Sequence, residues 1–318
     1  MQQEIMEETS AARTSGVLAA IITNPTSGSY AHHVAHLEET VTFLQDHGWN
    51  VALRLTEAAG DGRRLAHEAV NQQAEVVIAA GGDGTINEVI QELAGTETAL
   101  GVLPIGTVND WAREIGIPLD VHGARDILVH GRTRHIDLGC VNEHYFLLMA
   151  GIGLDGDITQ KVEQHPLKRL GVIGYLLASI WYGLRYRSFV TSVISNERVE
   201  KTSALQIVVG NTQLYGGAIK FTWQAKADDG LLDVVIVRRR GVLGRLLMAV
   251  ELFLPRKKRM PWITYQRSEV IEIQTPKPVT MQIDGEPIGS TPARFTSVPG
   301  ALKVIVPHES REVLFSQE

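Results

Sequence analysis

The chain has 318 residues, 44% of them hydrophobic and 21% charged. That is ordinary globular composition, with enough apolar material for a buried core and room for about two domains of usual size. The formal net charge of -6 gives no overall attraction to nucleic acid, and the single cysteine, Cys140, rules out an internal disulfide framework and argues against a cysteine-based zinc site. The longest apolar candidate for a membrane span, Leu170 to Leu184, is too short to cross a bilayer as a helix. Gly16 to Thr23 could pass for the apolar part of a signal peptide, but Glu4, Glu7 and Glu8 precede it and no small-residue cleavage site follows. A frayed leader before a buried first strand, in a cytoplasmic protein, is the expectation.

Strand and helix patterns alternate through the first 135 or so residues. The apolar run Gly16–Thr23 reads as a strand covered on both faces and is closed by Asn24-Pro25. A helix is expected over Ala31–Asp46, where Val34, Leu37, Val41 and Leu44 share one face. There follow a strand Val51–Leu55, a helix Gly62–Asn71, a strand Val76–Ala80, a helix Thr85–Leu93 and a strand Leu100–Leu103. Repeated βα units with short connections imply a parallel sheet. After about Thr133 strands succeed one another: His135–Val141, Tyr145–Ala150, Phe189–Ile194, Ala204–Val209, Leu232–Val237, Val270–Gln274 and Val279–Ile283. These suit an antiparallel sandwich or half-barrel, interrupted by helical stretches near Pro166–Tyr186 and Val242–Phe253. The expected fold class is therefore α/β followed by β.

Three loops at strand ends carry the chemistry. Gly81-Gly82-Asp83-Gly84-Thr85 joins the third strand to a helix, where glycines let the backbone approach a ligand and the helix N-terminus favours phosphate. Asp83 repels phosphate directly and would hold Mg²⁺, or water on Mg²⁺, against it. Alone, the motif also fits a plain tight turn in which Asp83 and Thr85 are caps. The loop Asn24-Pro25-Thr26-Ser27-Gly28-Ser29 follows the first strand without the Gly-Lys-Ser/Thr ending of a Walker A loop. The loop Pro104-Ile105-Gly106-Thr107-Val108-Asn109-Asp110 follows the fourth and adds the carboxylate of Asp110. Open α/β sheets bind ligands at the carboxyl ends of their strands, where these three loops converge. Gly151-Ile-Gly153-Leu-Asp-Gly156 is a literal G-x-G-x-x-G, but no acid follows at residues 170–184 and the sequence beyond is strand-rich, so a dinucleotide site is rejected.

NPTSG, GGDGTINE and LPIGTVNDWAR, in this order, resemble the diacylglycerol kinase catalytic-domain family, and AGIGLDGDI, KADDGLLDV and IDGEP extend the likeness over nearly the whole chain. The resemblance implies an N-terminal nucleotide domain like that of phosphofructokinases and NAD kinases over residues 15–134. It implies a β-sandwich-like lipid domain over 135–301, with the tail 302–318 returning to the first. ATP would be lined by Asn24, Pro25, Thr26, Ser27, Gly28, Thr56, Gly81, Gly82, Asp83, Gly84, Thr85, Ile86, Asn87 and Thr107. Asp83 and Asp110 would organise catalytic Mg²⁺ through water. A structural Mg²⁺ would be held by the Asp229 carboxylate with the Lys226 and Leu231 carbonyls, although Asp229-Gly230 is also an ordinary hairpin signal. The general base would lie in Asp284-Gly285-Glu286, with the choice between Asp284 and Glu286 open, and Asp155 is a weaker lipid-site or structural candidate.

The implied activity is transfer of the ATP γ-phosphoryl group to a lipid hydroxyl, that of diacylglycerol or a related lipid. The alternatives are a soluble acceptor such as NAD, or a nucleotide-responsive membrane adaptor without turnover. Arg238 to Arg259 contains eight basic residues against the single acid Glu251, with an apolar stretch between, which suits peripheral contact with an anionic membrane. Leu167–Arg187 is a second, weaker membrane candidate. A homodimer is the commonest oligomeric outcome for such a chain.

Overall fold

The computed structural model describes residues 16–25, 30–157, 185–216, 219–238, 262–309 and 314–316. The first half builds a parallel sheet from β1 (Leu18–Thr23), β2 (Asn50–Leu55), β3 (Val76–Gly81) and β4 (Ala99–Pro104), in the spatial order β4-β3-β1-β2. All six residues of β3 and all six of β4 are buried, so these strands can be continuous apolar runs instead of alternating ones. The edge strand β2 is largely exposed and reads NVALRL.

Helices α1 (Tyr30–Asp46), α2 (Asp61–Asn71), α3 (Asp83–Leu93), α4 (Asp110–Ile115) and α5 (Val121–His130) accompany the strands. In α3 the buried Ile86, Val89, Ile90 and Leu93 recur at helical spacing and pack on the sheet. Glu88 of the same helix caps its neighbour, accepting the Gly60 and Gly62 N–H groups at 3.2 and 2.7 Å. A Cβ on Gly62 would lie 2.5 Å from that carboxylate. Asp120 caps α5 by accepting the Gly123 N–H at 2.8 Å.

The second half is antiparallel: β5 (Arg132–Val141), β6 (His144–Phe146), β7 (Met149–Gly153), β8 (Phe189–Ser195), β9 (Arg198–Gly210), β12 (Leu232–Arg238), β13 (Ile263–Ser268), β14 (Val270–Gln274), β15 (Thr280–Ile283), β16 (Glu286–Ser290) and β17 (Ala293–Val306). A small hairpin of β10 (Leu214–Tyr215) and β11 (Ile219–Lys220) stands apart. The two halves are not separate sheets. β17 pairs with β14 through Ala293–Thr296, then shifts register between Val298 and Leu302 and ends beside β4, with Val304 opposite Leu100. One mixed sheet of fifteen strands results among the described residues. Its second core gathers Phe146, Ile207, Val234, Ile271 and Phe295.

Several elements depart from the sequence expectation. The stretch Tyr145–Ala150, expected as one strand, is divided between β6 and β7, because the N–H groups of residues 147–149 point to a side-chain carboxylate. β9 begins at Arg198, six residues before the expected start. Helix α5 and strands β13, β16 and β17 were not expected. The expected helices near 166–186 and 242–253, and the basic segment 238–259, fall almost wholly outside the described residues. No described helix is long and apolar enough to cross a membrane.

Candidate active site

The GGDG turn and the GTVND loop meet at the carboxyl ends of β3 and β4. Their approach is backbone to backbone: a Cβ on Gly106 would lie 2.4 Å from the Gly82 Cα and 2.8 Å from its nitrogen. The Gly106 N–H donates to the Gly81 carbonyl at 3.2 Å. Asn109 takes a left-handed conformation (φ 55°), and its amide donates to the carbonyls of Pro104 and Gly106. That geometry leaves α4 without a cap from its own N-cap residue. Asp83 supplies the cap from the other loop, its carboxylate accepting the Asp110 and Trp111 N–H groups at 3.0 and 3.2 Å. Burial pushes the Asp83 carboxyl above its usual value despite those hydrogen bonds.

Asp110 and Glu114 stand one turn apart on α4, both buried, and reach β10 and the residues that flank it. Asp110 accepts the Gly216 N–H at 2.8 Å. Glu114 accepts the N–H groups of Gln213 and Leu214 at 3.1 and 2.5 Å, and burial raises its pKa to about 7. Glu114 was not picked out from sequence, although its place four residues after Asp110 puts it on the same helix face.

Asp284-Gly285-Glu286 forms the turn between β15 and β16, with positive φ at Asp284 (46°) and Gly285 (91°) as a tight two-residue hairpin requires. The Asp284 carboxylate accepts three backbone N–H bonds, from Leu147 at 2.7 Å, Leu148 at 3.0 Å and Met149 at 2.9 Å. These bonds create the break between β6 and β7. Burial lifts the Asp284 pKa to about 7, against the pull of those N–H groups and with a contribution from the Asp83 charge. Glu286 approaches the GGDG turn: a Cβ on Gly84 would stand 3.7 Å from its Oε1. A second tie joins the halves, since Gln91 of α3 donates to the Tyr145 carbonyl at 2.8 Å and accepts its N–H at 3.0 Å.

A diacylglycerol kinase catalytic domain matches residues 18–141, and the C-terminal NAD kinase beta sandwich-like domain of YegS matches residues 149–306. A diacylglycerol kinase of Bacillus subtilis (strain 168) is 30% identical over 299 residues, covering 93% of this chain and 98% of the relative. The chain belongs to the diacylglycerol kinase family. A diacylglycerol kinase of Staphylococcus aureus (strain MRSA252) is also 30% identical, over 298 residues, covering 92% and 93% of the two chains. A solved diacylglycerol kinase structure from Bacillus anthracis superposes with a TM-score of 0.70 at 21% identity, over 92% of this chain and 97% of that one. The protein is thus a kinase, with a parallel α/β half and an antiparallel β half as expected.

At the carboxyl ends of the parallel strands stand Gly81, Gly82, Asp83, Gly84, Thr85, Ile86 and Asn87 at the start of α3, Asn24, Pro25 and Thr56 after β1 and β2, and the exposed Thr107 between β4 and α4. Thr26, Ser27 and Gly28 lie outside the described residues. Gly82, the N-cap residue of α3, has no side chain to cap it, and among the described residues Asn87 Nδ2 and Asn109 Oδ1 are buried with no hydrogen-bond partner. The N-terminus of α3 and the orphaned donor Asn87 Nδ2 beside a glycine turn fit a polyphosphate ligand, whereas Asn109 Oδ1 can only accept. The Asp83 carboxylate accepts the Asp110 N–H, so two carboxylates stand beside that turn, a donor set that suits a divalent cation held through water.

The Lys226–Leu231 loop fits its implied metal poorly. Asp229 Oδ1 accepts the Leu231 N–H at 3.1 Å, and Oδ2 is paired with the guanidinium of Arg267. Lys226 Nζ donates to the Phe315 carbonyl at 3.2 Å. Arg134 pairs with Asp228 at 2.9 Å, and Asp137 accepts the Gly230 and Gly300 N–H groups at 2.6 and 2.8 Å. A cation on Asp229 would have to displace Arg267 from its Oδ2. Gly151 and Gly153 lie in β7, which pairs antiparallel with both β9 and β15, and among the described residues no βαβ unit surrounds them.

Proposed function

We propose that the protein is an ATP- and Mg²⁺-dependent lipid kinase acting on the hydroxyl of diacylglycerol or a related lipid. The observation that carries this reading is the approach of Glu286 to Gly84, which sets a carboxylate from the β half against the turn suited to phosphate. Residues 15–134, with the tail 302–318, are assigned to the nucleotide and 135–301 to the acceptor. The lipid would be met at a membrane surface, where the basic composition of 238–259 suits anionic headgroups.

In this reading the acceptor hydroxyl oxygen bonds to the γ-phosphorus as the bond to the β,γ-bridging oxygen breaks, and ADP leaves. Glu286 accepts the hydroxyl proton. Asp284 is assigned to holding the hairpin and not to proton transfer, because both its oxygens already accept backbone N–H bonds. The N-terminus of α3 receives phosphate oxygens, and Asp83 fixes α4 so that Asp110 keeps its place in the cleft. Bound Mg²⁺, organised by Asp83 and Asp110 through water, would neutralise charge on the transferring group. The test is label transfer from γ-labelled ATP into mixed lipid micelles, with NAD as a parallel soluble acceptor and Glu286→Gln beside wild type. Label in the lipid extract, lost in the variant, supports the reading. Label in NAD, or none in lipid while ATP still binds, overturns it.

A further inference from the structure

Gln282 on β15 sits directly opposite Gly151 on β7. The missing side chain of Gly151 leaves space that two polar groups fill: a Cβ there would lie 2.1 Å from Asp155 Oδ2 and 2.7 Å from Gln282 Nε2. These two are hydrogen-bonded at 2.5 Å, and the other oxygen of Asp155 accepts the Tyr215 hydroxyl at 2.6 Å. Gln282 Oε1 accepts the Gly285 N–H at 2.6 Å, so the amide has one workable orientation, nitrogen to Asp155 and oxygen to the hairpin. Both Asp155 and Gln282 are buried. Next to Tyr215, the Gly216 N–H donates to Asp110.

We infer that Tyr215, Asp155 and Gln282 are positioning residues, a buried relay that holds Glu286 at a set distance from Asp110 and the phosphate turn. The inference rests on the kinase reading with Glu286 as base. The bonds run from Asp83 to the α4 backbone, from Asp110 to the 215–216 turn, through Asp155 and Gln282 to Gly285, and the next residue returns to Gly84. The hairpin bearing Glu286 is then pinned twice, by the Asp284 carboxylate on one side and by Gln282 on the other. A buried carboxylate served by a hydroxyl and an amide is an expensive way to fill space, since an apolar pair of the same shape would pack at no loss. What a polar relay adds is direction: each donor and acceptor admits one register of the turn.

The experiment is a kinetic cycle on the full chain in mixed micelles, comparing wild type, Gln282→Met, Glu286→Gln and the double variant, with melting temperature followed throughout. Methionine keeps the length of the side chain and removes both amide bonds. If Gln282 acts through Glu286, Gln282→Met lowers kcat by roughly 10- to 100-fold, the loss expected for misplacing a reacting group by about an ångström. KM for ATP then stays within about twofold, and in the Glu286→Gln background the same change costs little more. Tyr215→Phe, which keeps the ring edge-on against Phe221 and deletes one hydroxyl, repeats the test should Gln282→Met fail to fold. Wild-type kcat in these variants, or an equal loss in both backgrounds, overturns the relay alone. Full activity in Glu286→Gln overturns the base assignment and the relay with it.

Discussion

Replacing Gly106 by alanine places a methyl group where two loops touch. Its Cβ would lie 2.4 Å from one backbone atom and 2.8 Å from another in Gly82, and 2.7 Å from Asn109 Oδ1, against an ordinary contact distance near 3.5–4 Å. Two of these neighbours are backbone, so no side-chain rotation relieves the clash and a loop must move by about an ångström. Overpacking of this kind costs about 1–3 kcal/mol. The shift also breaks the Gly106 N–H bond to Gly81, worth about 1 kcal/mol more. A total of about 2–4 kcal/mol should lower the melting temperature by roughly 3–6 °C in a chain of this size. Displacing the GGDG turn should in addition weaken a non-hydrolysable ATP analogue by about tenfold, the loss of one charge-assisted hydrogen bond to phosphate. Gly95→Ala is the control, because Gly95 has φ 74° with nothing within 4 Å of its would-be Cβ. It should cost about 1 kcal/mol of backbone strain and leave nucleotide affinity alone. Calorimetric melting and isothermal titration read both quantities. A Gly106→Ala protein that melts within about 1 °C of wild type and binds the analogue within about twofold would refute the close packing of the loops and the placement of phosphate there.

Glu286→Gln should lower kcat by about 10²- to 10⁴-fold with little change in melting temperature, since the side chain is exposed and its role is proton transfer. Glu114 keeps its proton in the folded chain up to about pH 7 but loses it near 4.5 when unfolded, so the native state binds more protons in that window and stability falls as pH rises through it. Urea unfolding at several pH values should show that fall, to which Glu114 contributes on the order of 3 kcal/mol, and Glu114→Gln should remove that share while the raised Asp284 keeps its own. Asp284→Ala strands three backbone N–H groups at the β6–β7 bend and should cost about 3–6 kcal/mol, read as a loss of soluble protein or a large fall in urea midpoint. Chelation with EDTA should leave the melting temperature within about 2 °C, because Arg267 and Arg134 already neutralise the acids of the 226–231 loop. A much larger fall would return a structural cation to that loop.

The α/β half was legible because its strands are buried on both faces. β3 and β4 carry unbroken apolar runs between glycine-rich loops, a pattern with few other solutions. β13 and β17 were not, for opposite reasons. β13 reads ITYQRS, five of whose six residues are only half-buried, so it shows no apolar face. β17 contains Pro299-Gly300, a turn signal that the chain instead spends on a register shift inside one long strand. Asp284 illustrates a third kind of illegibility. Its place in a DGE motif pointed to chemistry, but its hydrogen-bond partners lie about 135 residues earlier, and nothing local records them. The same holds for Glu114, whose partners are 99 and 100 residues away.

The long last strand has a consequence for how the protein is made. β4 has β3 on one side, and its other edge is covered by the end of β17, with Val304 beside Leu100. A ribosome has released about two hundred more residues before that edge can close. Until then the nascent nucleotide half carries an open apolar strand edge, the feature most prone to pairing with another chain. Completion of the first-made half therefore waits for the last-made segment. A chain stopped short of β17 would lose more than its tail, because both halves depend on that strand for their seam.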